Sequence, residues 1–264
     1  GFDLVNGDVV NIDPFGAMLN RAVWVMFLHM WVATFIVCGF VTAAVYAVGI
    51  MRGRDNHHHR LAFKVAFAFG AIAALVLPFV GHLAGGRLAE EQPAKLAAME
   101  LAVTTEQPAP LALGGLLIDG ERRYATEVPV VGSVLARNHW DHPVQGLDTF
   151  EEDERPADHL VTMVHLSFQG MIGIGFALVA LSVIYGWMRR RDRDPLSSRW
   201  FLRATVVSAP LSVLALQLGW ITTEVGRQPW IVQGSMRVEE AVTTESGVWT
   251  SVIVLMSVYV AMGV

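Results

Sequence analysis

The stretch "LVTMVHLSFQGMIGIGFALVALSVIYGWM", residues 160–188, contains no Asp, Glu, Lys or Arg. Roughly 20 apolar residues in a helix cross a hydrocarbon core of about 30 Å, so this stretch is long enough to span a membrane. Four further stretches lack these charged residues over a comparable length, and the last is the shortest: 22–51, 65–86, 204–223 and 246–264. Lipid offers no partner for unpaired backbone groups, whereas a helix pairs its own. We therefore predict an all-α integral membrane protein, a polytopic transmembrane helix bundle of five spans with one long outer loop.

The composition agrees with this fold and excludes several kinds of site. Hydrophobic residues make up 53% of the chain and charged residues only 16%. Cys38 is the only cysteine, which excludes an internal disulfide, a Cys-rich zinc or iron–sulfur site and a CxxCH haem attachment. The net charge of -5 is modest, so nucleic acid is not an expected partner. We also expect the chain to be part of a longer protein, since it starts without Met and the last span reaches its final residue.

Arginine-rich connections predict the orientation in the membrane. Three arginines lie between the first two spans, and five lie between the third and fourth: Arg52, Arg54 and Arg60, then Arg189, Arg190, Arg191, Arg193 and Arg199. The positive-inside rule places both connections in the cytoplasm. The predicted organisation is an outer N-terminal segment with two spans (1–86), an outer loop (87–159) and three further spans (160–264).

The outer loop is too long to be a simple connector, and loops of this length usually bind something or move. The stretch "AKLAAMELA" after Pro93 predicts a short helix. "GGLLIDGERRYATEVPVVGSV", at 114–134, has the alternating pattern and the Gly-containing turn of a β-hairpin.

Ionisable and amide side chains are few within the apolar spans, and such groups are costly in lipid and mark function. They are His29, His82, His165, Gln169, Gln217 and Glu224. His29 and Met171 enter from the same side, at similar depth, and a His–Met pair is one axial ligand set for low-spin haem iron. Each residue alone also fits an ordinary packing role, as a hydrogen-bonding histidine or a gap-filling methionine.

The end of the fourth span is crowded with polar and aromatic groups. Trp220 precedes Glu224 by one helical turn, and Arg227 follows it by three residues, so all three lie on one side of the helix end. An adjacent arginine keeps a partly desolvated carboxylate ionised. Glu224 is therefore either a candidate ligand for ferric haem iron or a carboxylate solvated at the interface.

Four motifs, in order, resemble those of subunit I of the cytochrome bd quinol oxidases. "GWITTEVGRQPW" is similar to the family signature W-x-x-x-E-x-G-R-Q-P-W, and "GRLAEEQPAKLAAME" resembles the start of the family's quinol-binding loop. "HLSFQGMIGIGF" resembles its S-F-x-x-M segment, and "FLHMWVATFIVCGF" resembles its H-x-x-x-A-x-x-x-x-G helix.

The resemblance implies roles for particular residues. His29 and Met171 would be the axial ligands of low-spin haem b, and Glu224 the ligand of high-spin haem b. Lys95 and Glu100 would take part in quinol binding and oxidation. Three further residues would lie beside the haems: Trp220 and Arg227 next to Glu224, and Gln169 where many members carry an arginine.

The function implied by the resemblance is quinol oxidation at the outer face, with electrons passing through haem b toward oxygen reduction. It implies the plasma membrane of a prokaryote, a second homologous membrane subunit, and either ubiquinol or menaquinol as substrate. The ligand of haem d would lie outside this chain, in the full-length parent. The alternatives are a haem b membrane anchor, a bd-like relative without oxygen reduction, and a transporter or structural protein whose polar groups only bridge helices.

Overall fold

The computed structural model describes residues 3–5, 8–137, 140, 143–232, 234–243, 245 and 247–263. In chain order its helices are α1 (Pro14–Met18), α2 (Arg21–Met51), α3 (His57–Glu91), α4 (Pro93–Glu100), α5 (Val131–Arg137), α6 (Asp158–Arg190), α7 (Arg199–Val225), α8 (Val238–Ala241) and α9 (Val248–Met262). Its strands are β1 (Asp3–Val5), β2 (Asp8–Val10), β3 (Leu111–Leu113), β4 (Leu116–Ile118), β5 (Glu121–Arg123), β6 (Thr126–Val128), β7 (Trp230–Val232) and β8 (Met236–Arg237).

Four helices in the described part of the chain are long and apolar enough to cross a membrane: α2, α3, α6 and α7. Each contains one predicted span, although α3 extends the predicted 65–86 at both ends. The first turn of α3 is stabilised by Asn56, whose side chain accepts a hydrogen bond from the His59 backbone at 2.9 Å. The prediction of a membrane helix bundle is therefore confirmed.

The fifth predicted span, residues 246–264, forms the shorter helix α9. This helix has 15 residues, fewer than the roughly 20 that a hydrocarbon core requires. Gly247 and Gly263 flank it at the two caps, and Ser246 and Val264 lie outside the described residues. That α9 crosses the membrane remains a prediction.

The four long helices pack in a ring. α2 packs against α3 and α7, and α6 packs against the same two helices, so α2 and α6 face each other across the bundle. Aromatic side chains fill the core between them, and the largest are completely buried: Phe40, Phe63, Phe67 and Phe201.

Helices α2 and α3 approach each other closely where two glycines meet. A Cβ atom added to Gly39 of α2 would lie 2.5 Å from the Cα atom of Gly70 in α3. Small residues at such a crossing allow two backbones to come together, which is how helices gain packing energy in lipid. A side chain at either position has no room.

The two arginine-rich turns meet at one end of the bundle. Arg60, at the start of α3, donates to both Asp55 oxygens at 2.9 Å and also pairs with Asp194 in the turn between α6 and α7. The ion pair therefore joins the two turns.

Residues 92–157 connect α3 to α6 at the other end of the bundle, so the predicted loop 87–159 also includes the last turn of α3 and the first residues of α6. The predicted short helix is present as α4, and the predicted hairpin is present as β4 and β5, which pair antiparallel around Asp119 and Gly120. β3 and β6 pair outside them and lengthen the hairpin. This end of the bundle holds every candidate site residue.

We predict that Gly39→Leu lowers the thermal unfolding midpoint of the full-length protein in detergent. The added side chain must separate α2 from α3, and overpacking of this kind costs about 1–3 kcal/mol. Gly186→Leu in α6 is the matched control, because nothing lies within 4 Å of a Cβ atom added there. Equal midpoints for the two variants would contradict the tight crossing.

Candidate functional site

Helix α4 lies against the end of α7 through Lys95. Its ammonium donates a hydrogen bond to the carbonyl oxygen of Thr223 at 3.1 Å, and the side chain is only 8% exposed. The carbonyls in the last turn of a helix lack partners within the helix, so a cation is favourable there. The aliphatic part of Lys95 packs on Gly226, where an added Cβ atom would lie 3.2 Å from two of its carbons.

At the end of α7 the structure shows the proximity of Glu224 and Arg227 that the sequence predicts. Arg227 donates to Glu224 at 3.5 Å across three residues, and both side chains are about half exposed. Trp220 is 64% exposed, one turn earlier in α7. Lys95 also contacts this helix end, although it lies 128 residues before Thr223 in the sequence.

Burial alters the proton affinity of both predicted quinol-site residues. The pKa of Lys95 falls from 10.5 to about 8, mainly because of desolvation and also because of the nearby charge of Arg227, while Glu224 opposes the shift. Desolvation raises the pKa of Glu100 from 4.5 to about 7. Glu100 therefore changes charge near pH 7, and Lys95 changes charge near pH 8.

Lys95 and Glu100 point to different surroundings. Five residues in a helix correspond to a rotation of about 140°, so the two side chains leave α4 on different sides. Lys95 reaches α7, while the Glu100 carboxylate has no hydrogen-bond or ion-pair partner among the described residues. A carboxylate of this kind is available to accept a proton.

His29 and Met171 lie on the two helices that face each other across the bundle, α2 and α6. The Nε2 atom of His29 lies 3.7 Å from the position of a Cβ atom on Gly81 in α3. The sulfur of Met171 lies 2.8 Å from the corresponding position on Gly219 in α7. Each predicted ligand therefore has a glycine of a neighbouring helix beside it, in the half of the bundle next to α4.

Gln169 is engaged with the hairpin backbone. Its side-chain oxygen accepts a hydrogen bond from the Gly114 amide at 2.7 Å, and its side-chain nitrogen donates to the Ala112 carbonyl. The family resemblance implies a place beside a haem for Gln169, and nothing in the sequence indicates this contact with the hairpin.

The family model for cytochrome bd terminal oxidase subunit I matches residues 1–264. The chain belongs to this family. It is 32% identical over its whole length to a Bacillus subtilis (strain 168) protein provisionally named cytochrome bd menaquinol oxidase subunit I, and covers 60% of that protein. It is 29% identical to cytochrome bd ubiquinol oxidase subunit 1 of the same organism, again over its whole length, and covers 58% of that relative.

A solved structure supports the same relationship. The bd oxidase from Geobacillus thermodenitrificans is similar to 99% of this cytochrome bd family chain, with a TM-score of 0.87 and 37% sequence identity. The match covers 60% of the solved chain. The chain thus spans about 60% of the length of these relatives.

Membership of the cytochrome bd family implies haem cofactors, and the described residues fit this group. An imidazole and a thioether on facing helices are a donor set that suits haem iron. Gly81 and Gly219 leave room for these two side chains, because a Cβ atom added to either glycine would meet the His29 ring or the Met171 sulfur. The carboxylate of Glu224 is a further candidate ligand, exposed at the end of α7.

Proposed function

We propose that this chain is the haem- and quinol-binding part of a cytochrome bd-type oxidase. It oxidises quinol at the outer face of a prokaryotic plasma membrane and passes electrons through haem b toward oxygen reduction. The contact that carries the proposal is the hydrogen bond from Lys95 to Thr223, because it joins the predicted quinol-site helix to the helix end that bears Glu224.

The two loop residues divide the quinol chemistry between them. Oxidation of a quinol to a quinone releases two electrons and two protons. Glu100, with a pKa of about 7 because of burial, accepts a proton from a quinol hydroxyl and releases it at the outer face. The Lys95 ammonium binds a quinol oxygen or orients α4 against α7. Protons released outside contribute to a gradient without a pump.

The remaining site residues hold the cofactors that take up the electrons. His29 and Met171 would hold low-spin haem b, Glu224 would hold high-spin haem b, and Gln169 would lie near the first haem. Trp220 would pack against the second haem, and Arg227 would balance charge there. The haems supply one-electron redox chemistry, with haem d bound by the rest of the full-length parent.

The partners follow from the relatives. The two Bacillus subtilis relatives are named for menaquinol and ubiquinol, so either quinol is a candidate substrate. A second homologous membrane subunit completes the oxidase.

The reduced-minus-oxidised visible spectrum of the full-length parent, purified with its partners, tests the function. We expect haem b bands together with a separate far-red band of a chlorin. Haem b bands alone would support instead a haem b anchor or a bd-like relative without haem d. An intact, membrane-inserted protein without haem bands would overturn the proposal.

We predict that Met171→Leu removes or shifts the low-spin haem b signal while the protein still inserts. Gly219→Ala should have a related, smaller effect, because its new Cβ atom would lie 2.8 Å from the Met171 sulfur. Gly186→Ala in α6 is the control, since it lies about four helical turns from Met171 and nothing lies within 4 Å of a Cβ atom there. An unchanged spectrum in Met171→Leu would show that Met171 is not a haem ligand.

We predict a bell-shaped pH profile for quinol oxidation by the full-length oxidase. Turnover rises through pH about 7, as Glu100 becomes ionised and able to accept a proton, because burial raises its pKa to about 7. It falls above pH about 8, as Lys95 loses its charge, because burial lowers its pKa to about 8. Glu100→Gln should lower turnover and leave the residual activity without the rising limb, and Lys95→Met should remove the falling limb. A wild-type profile in both variants would show that neither loop residue takes part in quinol oxidation.

A further inference from the structure

A stripe of polar side chains on α6 holds the hairpin against the bundle. Its members are spaced by four, three and four residues, so they lie on one face of the helix: Asp158, Thr162, His165 and Gln169. All of them bind backbone groups of the hairpin, in reverse chain order from Gly120 to Ala112. The hairpin strand therefore runs antiparallel to the start of α6.

His165 differs from the other members because it also binds α4. Its Nε2 atom lies 3.0 Å from the Gly114 carbonyl oxygen, which is its contact with the hairpin. Its Nδ1 atom lies 2.8 Å from the carbonyl oxygen of Met99. The ring is completely buried between the two. A neutral imidazole donates to one of these oxygens, and an imidazolium donates to both.

The contact with Met99 completes the C-terminal cap of α4. The last carbonyls of a helix need partners from outside it. Leu101, in the left-handed conformation with a φ of 54°, and Ala102 donate their backbone N–H groups to the carbonyls of Ala98 and Ala97. The next carbonyl, that of Met99, receives the His165 ring instead.

Helix α4 is therefore fastened at two points. Lys95 fixes it to the end of α7, and His165 fixes its last turn to α6. Met99 directly precedes Glu100 in the chain, so the carbonyl that His165 binds belongs to the same peptide unit as the backbone nitrogen of Glu100. A shift of the ring would move the Glu100 carboxylate.

We propose that His165 is a positioning residue for quinol oxidation, which fixes Glu100 through the Met99 carbonyl. This inference rests on the proposed function, in which Glu100 accepts the quinol proton. The contact with the Gly114 carbonyl fastens the hairpin, and the contact with the Met99 carbonyl sets the position of the proton acceptor; the ring donates to both only when both nitrogens carry a proton.

Two substitutions separate these bonds. Asn at position 165 places an amide donor near the position of Nδ1, and Gln places one near the position of Nε2. His165→Asn therefore keeps the contact with Met99, His165→Gln keeps the contact with Gly114, and His165→Leu loses both. Thr162→Val is a control that removes a stripe contact with Leu117 and leaves α4 untouched.

The experiment measures kcat and KM for quinol in the full-length oxidase, together with backbone hydrogen exchange across residues 111–120. We expect His165→Leu and His165→Gln to lower kcat by about tenfold to a hundredfold, since a misplacement of about 1 Å can cost this much. KM should change little, because proton transfer belongs to the transition state. His165→Asn and Thr162→Val should keep most of kcat. Hydrogen exchange of the hairpin should quicken in the Asn and Leu variants and stay slow in the Gln variant.

The outcomes separate failure of this inference from failure of the proposed function. Glu100→Gln in the same assay tests the function, and wild-type turnover there would overturn it. Lost turnover in Glu100→Gln with equal kcat values for the Asn and Gln variants would overturn only the role of His165. If the Leu variant does not assemble, the comparison of Asn with Gln decides alone.

Discussion

The hydrogen bond from the buried Lys95 ammonium to the Thr223 carbonyl is the contact on which the arrangement of the site depends. Removing a cation from water is costly unless polar partners replace the lost hydration. The unpaired carbonyls at the end of α7 and the carboxylate of Glu224 supply these partners. The end of α7 therefore offsets the cost of burying Lys95, and this contact holds α4 there.

The same principle, that unpaired polar groups need partners, explains the rest of the connecting segment. Residues 87–159 contain many backbone N–H and carbonyl groups that no long helix or large sheet pairs. The stripe on α6 satisfies those of the hairpin, and His165 satisfies the end of α4. The segment is thus attached to the bundle through directional bonds to particular atoms, which specify its register on α6 as well as its location.

The local features of the protein could be predicted from the sequence. Length and the lack of charge predict five spans, of which four are long helices. Pro93 and the following residues predict α4, and the spacing of Glu224 and Arg227 predicts their ion pair. The contacts that build the site could not be predicted, because Lys95 and Thr223 are 128 residues apart and His165 and Met99 are 66 apart. Hydropathy identifies His165 and Gln169 only as polar residues in a span. Their partners are backbone groups, which have no signature in the sequence. For the last span, the lack of charge did not predict that the helix α9 would be shorter, with Gly247 and Gly263 as its caps.

The ion pairs of Arg60 have a consequence for biogenesis. Asp55 lies five residues before Arg60, whereas Asp194 lies 134 residues after it. A ribosome that has just released α2 and α3 has not yet synthesised the second partner. Arg60 can therefore hold its own turn first, and the bond to Asp194 forms only when α6 and α7 have inserted beside the first pair. The ion pair between Arg60 and Asp194 therefore forms only after both helix pairs are in the bilayer.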